Sequence, residues 1–425
     1  MQKKSAAIQF GLILAALMAC GTGCSFFQSD PAPSFAHPNQ PIPAGGAANE
    51  RQAAYYGDGP SSDHGKFKLE DLDPFNAKKT IKKYTGGGPN RDVARRLYQE
   101  GEAQFRQADA AKQSGADGRA QFLRAAATFE KAAERWPDSA LEQDSLYMAG
   151  ESYFFADRYP TANAKYEILI DKYPNTRHLD VIGVRRFALA DFWVKADEVK
   201  PHGFFTPNVT DKTRPWRDSY GHGIRVFDKI RLDDPTGRLA DDATMAAGNA
   251  YFRKGKFIDA GDMYEDLIRT FPNSEHQYMA HVLALRSKLA SYQGSAYDEQ
   301  PLMRAEKLLE QIRKQFPTEA NKEENRQFLQ RAYAEIRFRL AEREMKFAKY
   351  YDRRGEYGAA RYYYDILASD YGETPFGAQA NTRIAKIQHL PAVPPQRFAW
   401  LTTFFPEEED VKPLIQTGDG GVIRR

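Results

Sequence analysis

Residues 150–174 read GESYFFADRYPTANAKYEILIDKYP, and residues 248–272 read GNAYFRKGKFIDAGDMYEDLIRTFP. Both stretches carry a glycine, a tyrosine, an alanine, a second tyrosine and a proline at one spacing: Gly150, Tyr153, Ala162, Tyr166 and Pro174 in the first, and Gly248, Tyr251, Ala260, Tyr264 and Pro272 in the second. From Tyr159 to Tyr173 apolar residues step by three and four positions, so they share one helical face. The pattern predicts two helices joined by a turn and closed by a proline.

The size of each residue in this pattern has a physical reason. The spacing is that of the tetratricopeptide repeat, which has a period of about 34 residues. We expect Gly150 and Ala162 to be small because the two helices of a hairpin approach each other most closely there, and Tyr153 and Tyr166 to fill the space beside that crossing. Pro174 cannot continue a helix, so it forces the turn to the next hairpin.

Weaker copies of the pattern lie on both sides of these two stretches. The residues that close successive copies are Pro137, Pro174, Pro235, Pro272, Pro317 and Gly372, and the last copy carries Ala360 and Tyr364. A hairpin of this kind cannot bury its apolar face alone, so neighbouring hairpins must stack. The sequence therefore predicts an all-α solenoid of five to six tetratricopeptide hairpins over residues 92–388, with an insert of unassigned role near Lys200–Trp216.

The first nineteen residues have the composition of an export signal. Lys3 and Lys4 precede an apolar run from Ile8 to Met18. A run of this length is too short to span a bilayer, which needs about 20 residues, and it has the length of a signal-peptide core. We therefore interpret residues 1–19 as a signal peptide.

The two cysteines of the chain, Cys20 and Cys24, both follow this run. A large apolar residue, small residues and then Cys resemble the lipobox of bacterial lipoproteins, in which the Cys becomes the lipidated first residue. Leu17 favours Cys20 as the anchor, whereas the Gly23-Cys24-Ser25 context leaves Cys24 open, and an ordinary cleaved signal is a third reading. Neither Gly21 nor Ser25 is the Asp that retains enteric lipoproteins at the inner membrane, so we expect a lipid anchor on the periplasmic face of the outer membrane.

Two segments flank the predicted repeats. Residues 20–91 are rich in Pro, Gly, Ala and Ser and predict a flexible, lipidated tether. Residues 389–425 form a tail with prolines, an apolar patch and an acidic run at residues 407–410. The patch comprises Phe398, Trp400, Leu401, Phe404 and Phe405. It either packs back on the last repeat or serves as a short docking motif for a partner.

Residues 293–387 carry a more specific set of motifs. They include Asp298-Glu299-Gln300, Arg339-Leu340-Ala341-Glu342-Arg343-Glu344, Phe347-Ala348-Lys349-Tyr350-Tyr351 and Arg353-Arg354-Gly355-Glu356-Tyr357. This stretch resembles the BamD family, the lipoprotein subunit of the β-barrel assembly machinery of the outer membrane. The long tether, a sixth repeat and the Pro-rich tail depart from the family pattern.

The resemblance implies a role and one contact residue. The N-terminal repeats would bind unfolded outer-membrane barrel precursors, and the C-terminal repeats would dock on the periplasmic domains of the barrel-forming subunit. Arg339 matches the family's arginine on the docking helix, so we expect it to bind this partner. Glu344 is the second residue that we expect at the partner-binding surface, and it either pairs with Arg339 or lies on the solvated face of the helix.

Other classes of function receive less support from the sequence. A net charge of +3 is too small to favour a nucleic-acid binder. His276 and His281 lack the spacing of a zinc helix, so we predict no metal, no cofactor and no catalysis. The main rival is another periplasmic scaffold, an adaptor of Tol-Pal, cell-division or cell-wall type, and a further rival is a cell-wall-binding protein with a hidden hydrolytic site. The oligomeric state stays open.

Overall fold

The computed structural model describes residues 88–201 and 207–395. Within these ranges the chain forms fourteen helices, labelled α1 to α14. Their bounds are α1 Arg91–Gln113, α2 Arg119–Arg135, α3 Ala140–Phe155, α4 Tyr159–Lys172, α5 Leu179–Val199, α6 Ser219–Asp233, α7 Ala240–Arg253, α8 Phe257–Thr270, α9 Gln277–Ser291, α10 Gln300–Gln315, α11 Pro317–Ala320, α12 Glu323–Arg354, α13 Tyr357–Asp370 and α14 Pro375–Ile387. The predicted all-α fold is confirmed.

The chain divides into two compact units, one ending at Ala250 and the other beginning at Tyr251. The division falls inside α7. In the first unit α1 packs on α2, α3 on α4, and α5 on α6, while α2 also packs on α3. In the second unit α8 packs on α9, α9 on α10, α12 on α13, and α13 on α14. Each unit is therefore built from consecutive helices that pack as hairpins, as the tetratricopeptide pattern predicts.

The helices begin and end where local chemistry requires it. The Asn90 side chain accepts a hydrogen bond from Val93 N at 3.0 Å and caps α1. Ser139 caps α3 in the same way through Glu142 N, at 3.1 Å. The closing prolines Pro174 and Pro272 lie in exposed turns directly after α4 and α8 have ended. Capping side chains and turn prolines thus set the hairpin lengths.

The hairpin crossings lie where the small residues fall. Ala162, Ala260 and Ala360 are fully buried. A Cβ atom added to Gly150 would overlap the ring of Tyr166, within 2.8 Å of Cδ1. Tyr264 and Tyr364 are buried beside their alanines, one turn further along α8 and α13. Small side chains on one helix therefore leave room for aromatic rings on the next.

Several sequence-based expectations lie outside the described residues. These are the signal peptide, Cys20, Cys24, residues 20–87 of the tether, part of the 200–216 insert, and the apolar and acidic segments of the tail. Among the helices that the structure describes, none is long and apolar enough to cross a membrane.

Candidate partner-binding site

The predicted docking residues lie on α12, the longest described helix, with 32 residues. It ends at Gly355, whose φ of +75° is the left-handed conformation that a helix C-cap requires and that glycine adopts without strain. Glu356 N donates to Tyr351 O at 3.0 Å and completes the cap. This tight ending lets α13 start at Tyr357 and fold back along α12.

Arg339 lies on the side of α12 that faces the segment after α9. Its Nε and Nη2 atoms donate to Glu335 Oε1 at 3.0 and 2.9 Å. Its guanidinium also lies 5.7 Å from the centre of the Tyr292 ring. About a third of the Arg339 side chain, 35%, stays exposed to solvent. The arginine is therefore held in one orientation and can still be reached by a partner.

Glu344 does not share this environment. Five residues along an α-helix correspond to a rotation of about 140° beyond a full turn. Arg339 accordingly pairs with Glu335 rather than with Glu344, which corrects one of the two expectations for Glu344. Glu344 is only partly exposed, so it does not lie on a fully solvated face of α12. Burial, followed by the negative charge of Glu299, raises the pKa of the Glu344 carboxyl.

Arg343 has a structural role that the sequence reading missed. Its Nε atom lies 2.9 Å from Glu299 Oε2, and Nη1 donates to the carbonyl oxygen of Tyr297. The same guanidinium lies 5.2 Å from the centre of the Phe347 ring. Arg339 and Arg343, one turn apart, thus hold the 292–299 segment against α12. The motif contained a signal for this role. Leu340 and Ala341, which lie between Arg339 and Arg343 in the sequence, are apolar and buried, so both arginines lie on the other side of α12.

A continuous ladder of aromatic rings follows these arginines on α12 and α13. We define the aromatic ladder as Phe347, Tyr350, Tyr351, Tyr362 and Tyr363. Tyr363 stacks on Tyr351 with ring centres 5.5 Å apart and on Phe347 at 5.4 Å, while Tyr350 and Tyr362 extend the ladder at 5.2 and 5.3 Å. Tyr350 is 45% and Tyr362 62% exposed. Exposed tyrosines beside arginines have the composition of partner-binding surfaces.

A charged contact joins the last three long helices of the second unit. Arg383 of α14 donates to both oxygens of Asp352 on α12, at 2.7 and 2.8 Å. The Tyr364 hydroxyl of α13 donates to Asp352 Oδ2 at 3.2 Å. Hydrogen bonds from Arg383, more than any other cause, hold the pKa of Asp352 below its ordinary value. Through these contacts α14 holds the α12–α13 hairpin, which carries the aromatic ladder.

In the first unit, α3 is buried on almost all of its surface. Three of its buried residues, Glu142, Asp144 and Glu151, are acidic. Only Ala140, Leu141 and Tyr153 of α3 are not buried. Glu151 accepts from Arg185 Nη2 at 2.9 Å and from the Tyr166 hydroxyl at 2.6 Å. Because Arg185 and Glu151 are both nearly inaccessible, loss of either charge would strand the other at a cost of about 3–5 kcal/mol.

Two further acids of α3 take partners from the next turn of the chain. Asp144 lies 2.6 Å from Arg177 Nη2 and 2.9 Å from His178 Nε2. Glu142 lies 2.7 Å from Lys172 Nζ and also accepts from the Tyr173 hydroxyl. These contacts fasten the end of α4 and the turn before α5 onto α3. They hold neighbouring helices of the first unit together.

The remaining predicted repeat residues occupy helices and turns as follows. Gly150 and Gly248 are buried in α3 and α7, Tyr153 and Tyr251 are partly buried, and Tyr166 is fully buried in α4. The Tyr153 hydroxyl donates to Glu130 of α2 at 3.2 Å, so this ring also reaches the preceding hairpin. Gly248 and Tyr251 belong to different compact units.

Comparison with known families identifies two parts of the chain. Residues 210–390 match the YfiO family, described as outer membrane lipoproteins, which is the BamD family. Residues 144–176 match a tetratricopeptide repeat family. No curated protein matches the chain. The resemblance drawn from the sequence is confirmed: residues 210–390, less than half of the chain, are BamD-like, and residues 144–176 are similar to a tetratricopeptide repeat.

Proposed function

We propose that this chain is a lipid-anchored subunit of the outer-membrane barrel assembly machinery, with a binding role and no catalytic one. In this proposal the α12–α13 hairpin docks on the periplasmic domains of the barrel-forming subunit. The first unit binds unfolded barrel precursors. The matched outer membrane lipoprotein family is a scaffold family, which supports a role in binding.

The observation that carries the proposal is the position of the matched region. Residues 210–390 include α12, α13 and α14, and therefore Arg339 and the aromatic ladder. Arg339 is oriented by Glu335 and Tyr292 and is partly exposed, as a docking arginine must be. We propose Arg339 as the main contact with the barrel-forming subunit. Glu344, on a different side of α12, would contribute to binding at a separate part of the partner.

The lipid anchor and the outer-membrane location complete the proposal. The match to a family of outer membrane lipoproteins supports lipidation at the lipobox-like sequence around Cys20 and Cys24. The anchor would hold the repeats at the periplasmic face, where barrel precursors arrive.

Replacement of Arg339 tests the docking role. Arg339→Glu should strongly reduce co-purification of the barrel-forming subunit with this chain from detergent-solubilised membranes. The melting temperature should change little, because a partly exposed ion pair on one helix contributes about 0–1 kcal/mol. Undiminished co-purification would count against docking through Arg339.

Two control variants separate docking from local structure. Arg326→Glu makes the same charge change at an exposed position of α12 and should leave the complex intact. The double variant Arg339→Glu, Glu335→Arg can re-form the ion pair with its charges exchanged. It should still fail to bind if the partner reads the positive charge at position 339. Recovery of binding in the double variant would show that the ion pair is only structural.

A further inference from the structure

The chain turns back on itself after α14. Gly358 N donates to the carbonyl oxygen of Ala392 at 2.9 Å. Arg361 Nη1 donates to the carbonyl oxygens of Ile387 and Leu390 at 2.9 and 3.0 Å. A Cβ atom on Gly355 would lie 3.6 Å from Pro394 Cβ. The last described residues therefore lie against the turn between α12 and α13, and the tail starts there.

This starting point is next to the aromatic ladder. Tyr351 lies one helical turn before Gly355, and Phe347 lies a further turn back along α12. At 1.5 Å per residue, Phe347 is about 12 Å from Gly355 along the helix axis. Phe398 follows Pro394 by four residues, which can span about 13 Å when extended. The aromatic residues of the tail can therefore reach the whole ladder without a long loop.

The chemistry of the tail complements this surface. Phe398, Trp400, Leu401, Phe404 and Phe405 are five large apolar side chains within eight residues, and a cluster of this kind is costly to leave in water. From Phe398 to Asp410 the tail contains no Lys or Arg and has acids at all four positions 407–410. From Arg339 to Arg354, α12 contains six Lys or Arg residues and three Asp or Glu residues.

We propose that residues 398–410 of the tail dock on the aromatic ladder of their own chain, with the apolar residues on the rings and the acidic run along the basic side of α12. Three observations support this occupant: the last described residues lie beside the ladder, two of its rings (Tyr350 and Tyr362) are exposed, and the charges of the two segments are opposite. A covalently attached segment also has a high effective concentration at this site, which favours it over a free ligand. The proposal does not depend on which partner the hairpin binds.

A photo-cross-linking experiment tests this contact on the full mature chain. A photoreactive phenylalanine analogue in place of the exposed Tyr362 should cross-link to a peptide within residues 396–410, identified by mass spectrometry. The same analogue at Tyr350 provides a second ladder position. Tyr333, which is exposed near the other end of α12, is the matched control and should give no link to the tail.

Two further arms exclude other occupants. An equal mixture of ¹⁵N-labelled and unlabelled chain should give cross-links within one chain only, whereas mixed-label products would indicate a second copy on the ladder and overturn the proposal. The variant Trp400→Ser, Phe404→Ser should lower the yield from positions 362 and 350 several-fold. Failure of both ladder positions to link to the tail in the isolated chain would also overturn it.

Discussion

A single missing side chain decides how close two helices can come. Gly150 of α3 meets the Tyr166 ring of α4, and the Tyr166 hydroxyl reaches Glu151 directly after the glycine. This crossing could be predicted from the sequence, because its glycine, alanine and tyrosine lie at a fixed spacing within about 25 residues of one repeat copy. Glu151–Arg185 and Asp352–Arg383 were not, because their partners are 34 and 31 residues apart and no local pattern pairs them.

We predict that Gly150→Ala destabilises the chain by about 1–3 kcal/mol, because the new methyl group overlaps the Tyr166 ring and overpacks the crossing. The measurement is thermal or urea-induced unfolding followed by circular dichroism. Gly183→Ala is the matched control, since a Cβ there would make an ordinary contact of 3.6 Å with Leu239. The control should be stabilised by about 0.5–1 kcal/mol through helix propensity. Equal effects of the two substitutions would show that the crossing at Gly150 is not tightly packed.

At the scale of the element, α12 has separate tasks on its different sides. Its Leu340 and Ala341 side faces the core, Arg339 and Arg343 face the segment after α9, and Asp352 binds α14. The repeat pattern predicted the helices and turns of this region. The pattern could not predict which charged residues face a neighbour, since charged side chains are usually taken to be solvated. Glu344 shows the limit of that assumption, because it is half-buried.

We predict that the Asp352 contact stabilises the second unit in a pH-dependent way. The folded-state pKa of Asp352 is lowered, so its contribution is complete above the ordinary value of about 3.9 and is lost as the pH falls through the lower folded value. Asp352→Asn should therefore cost about 1–2 kcal/mol near neutral pH, because two charge-assisted hydrogen bonds are weakened. The difference from the parent chain should shrink as the pH falls below about 4, because Asp352 of the unfolded parent chain is protonated there before Asp352 of the folded chain.

Thermal unfolding across this pH range measures the Asp352 effect. Asp365→Asn changes an exposed carboxyl on α13 and should have little effect at any pH. A difference between Asp352→Asn and the parent that stays constant down to acidic pH would contradict the assignment of the charge to this contact.

At the scale of the whole molecule, the sequence predicts one repeat array over residues 92–388, and the chain divides into two compact units within it. Gly248 and Tyr251 belong to the same copy of the repeat and lie on opposite sides of the division. The sequence could not predict this division, since the copy at residues 248–272 matches the pattern as well as the copy at residues 150–174 does. Both units nevertheless carry family evidence, over residues 144–176 in the first and within 210–390 in the second.

The lipid anchor is a prediction about the whole molecule, because it determines which membrane surface the repeats reach. Cys20→Ser should move the chain from the membrane fraction to the soluble fraction, and Cys24→Ser should leave it bound. Several acyl chains, at about 0.8 kcal/mol per buried CH₂, make the difference in partitioning large. Cell fractionation with labelled palmitate measures both properties. The opposite result would identify Cys24 as the anchor, and a membrane-bound, unlabelled double variant would refute lipidation.

The buried acids of α3 can be enclosed only after their basic partners have been synthesised, because those partners follow them in the sequence. A nascent chain emerges from its N-terminus, so α3 is exposed before Lys172, Arg177 and Arg185 have been delivered. We expect the polar side chains of Glu142, Asp144 and Glu151 to keep the emerging segment hydrated, whereas a purely aliphatic segment would be prone to aggregate. Once the cations arrive, each carboxylate gains its counter-charge and the helix can be enclosed. We therefore expect these three residues to keep the unfinished chain hydrated and, once paired, to hold α3 in the folded chain.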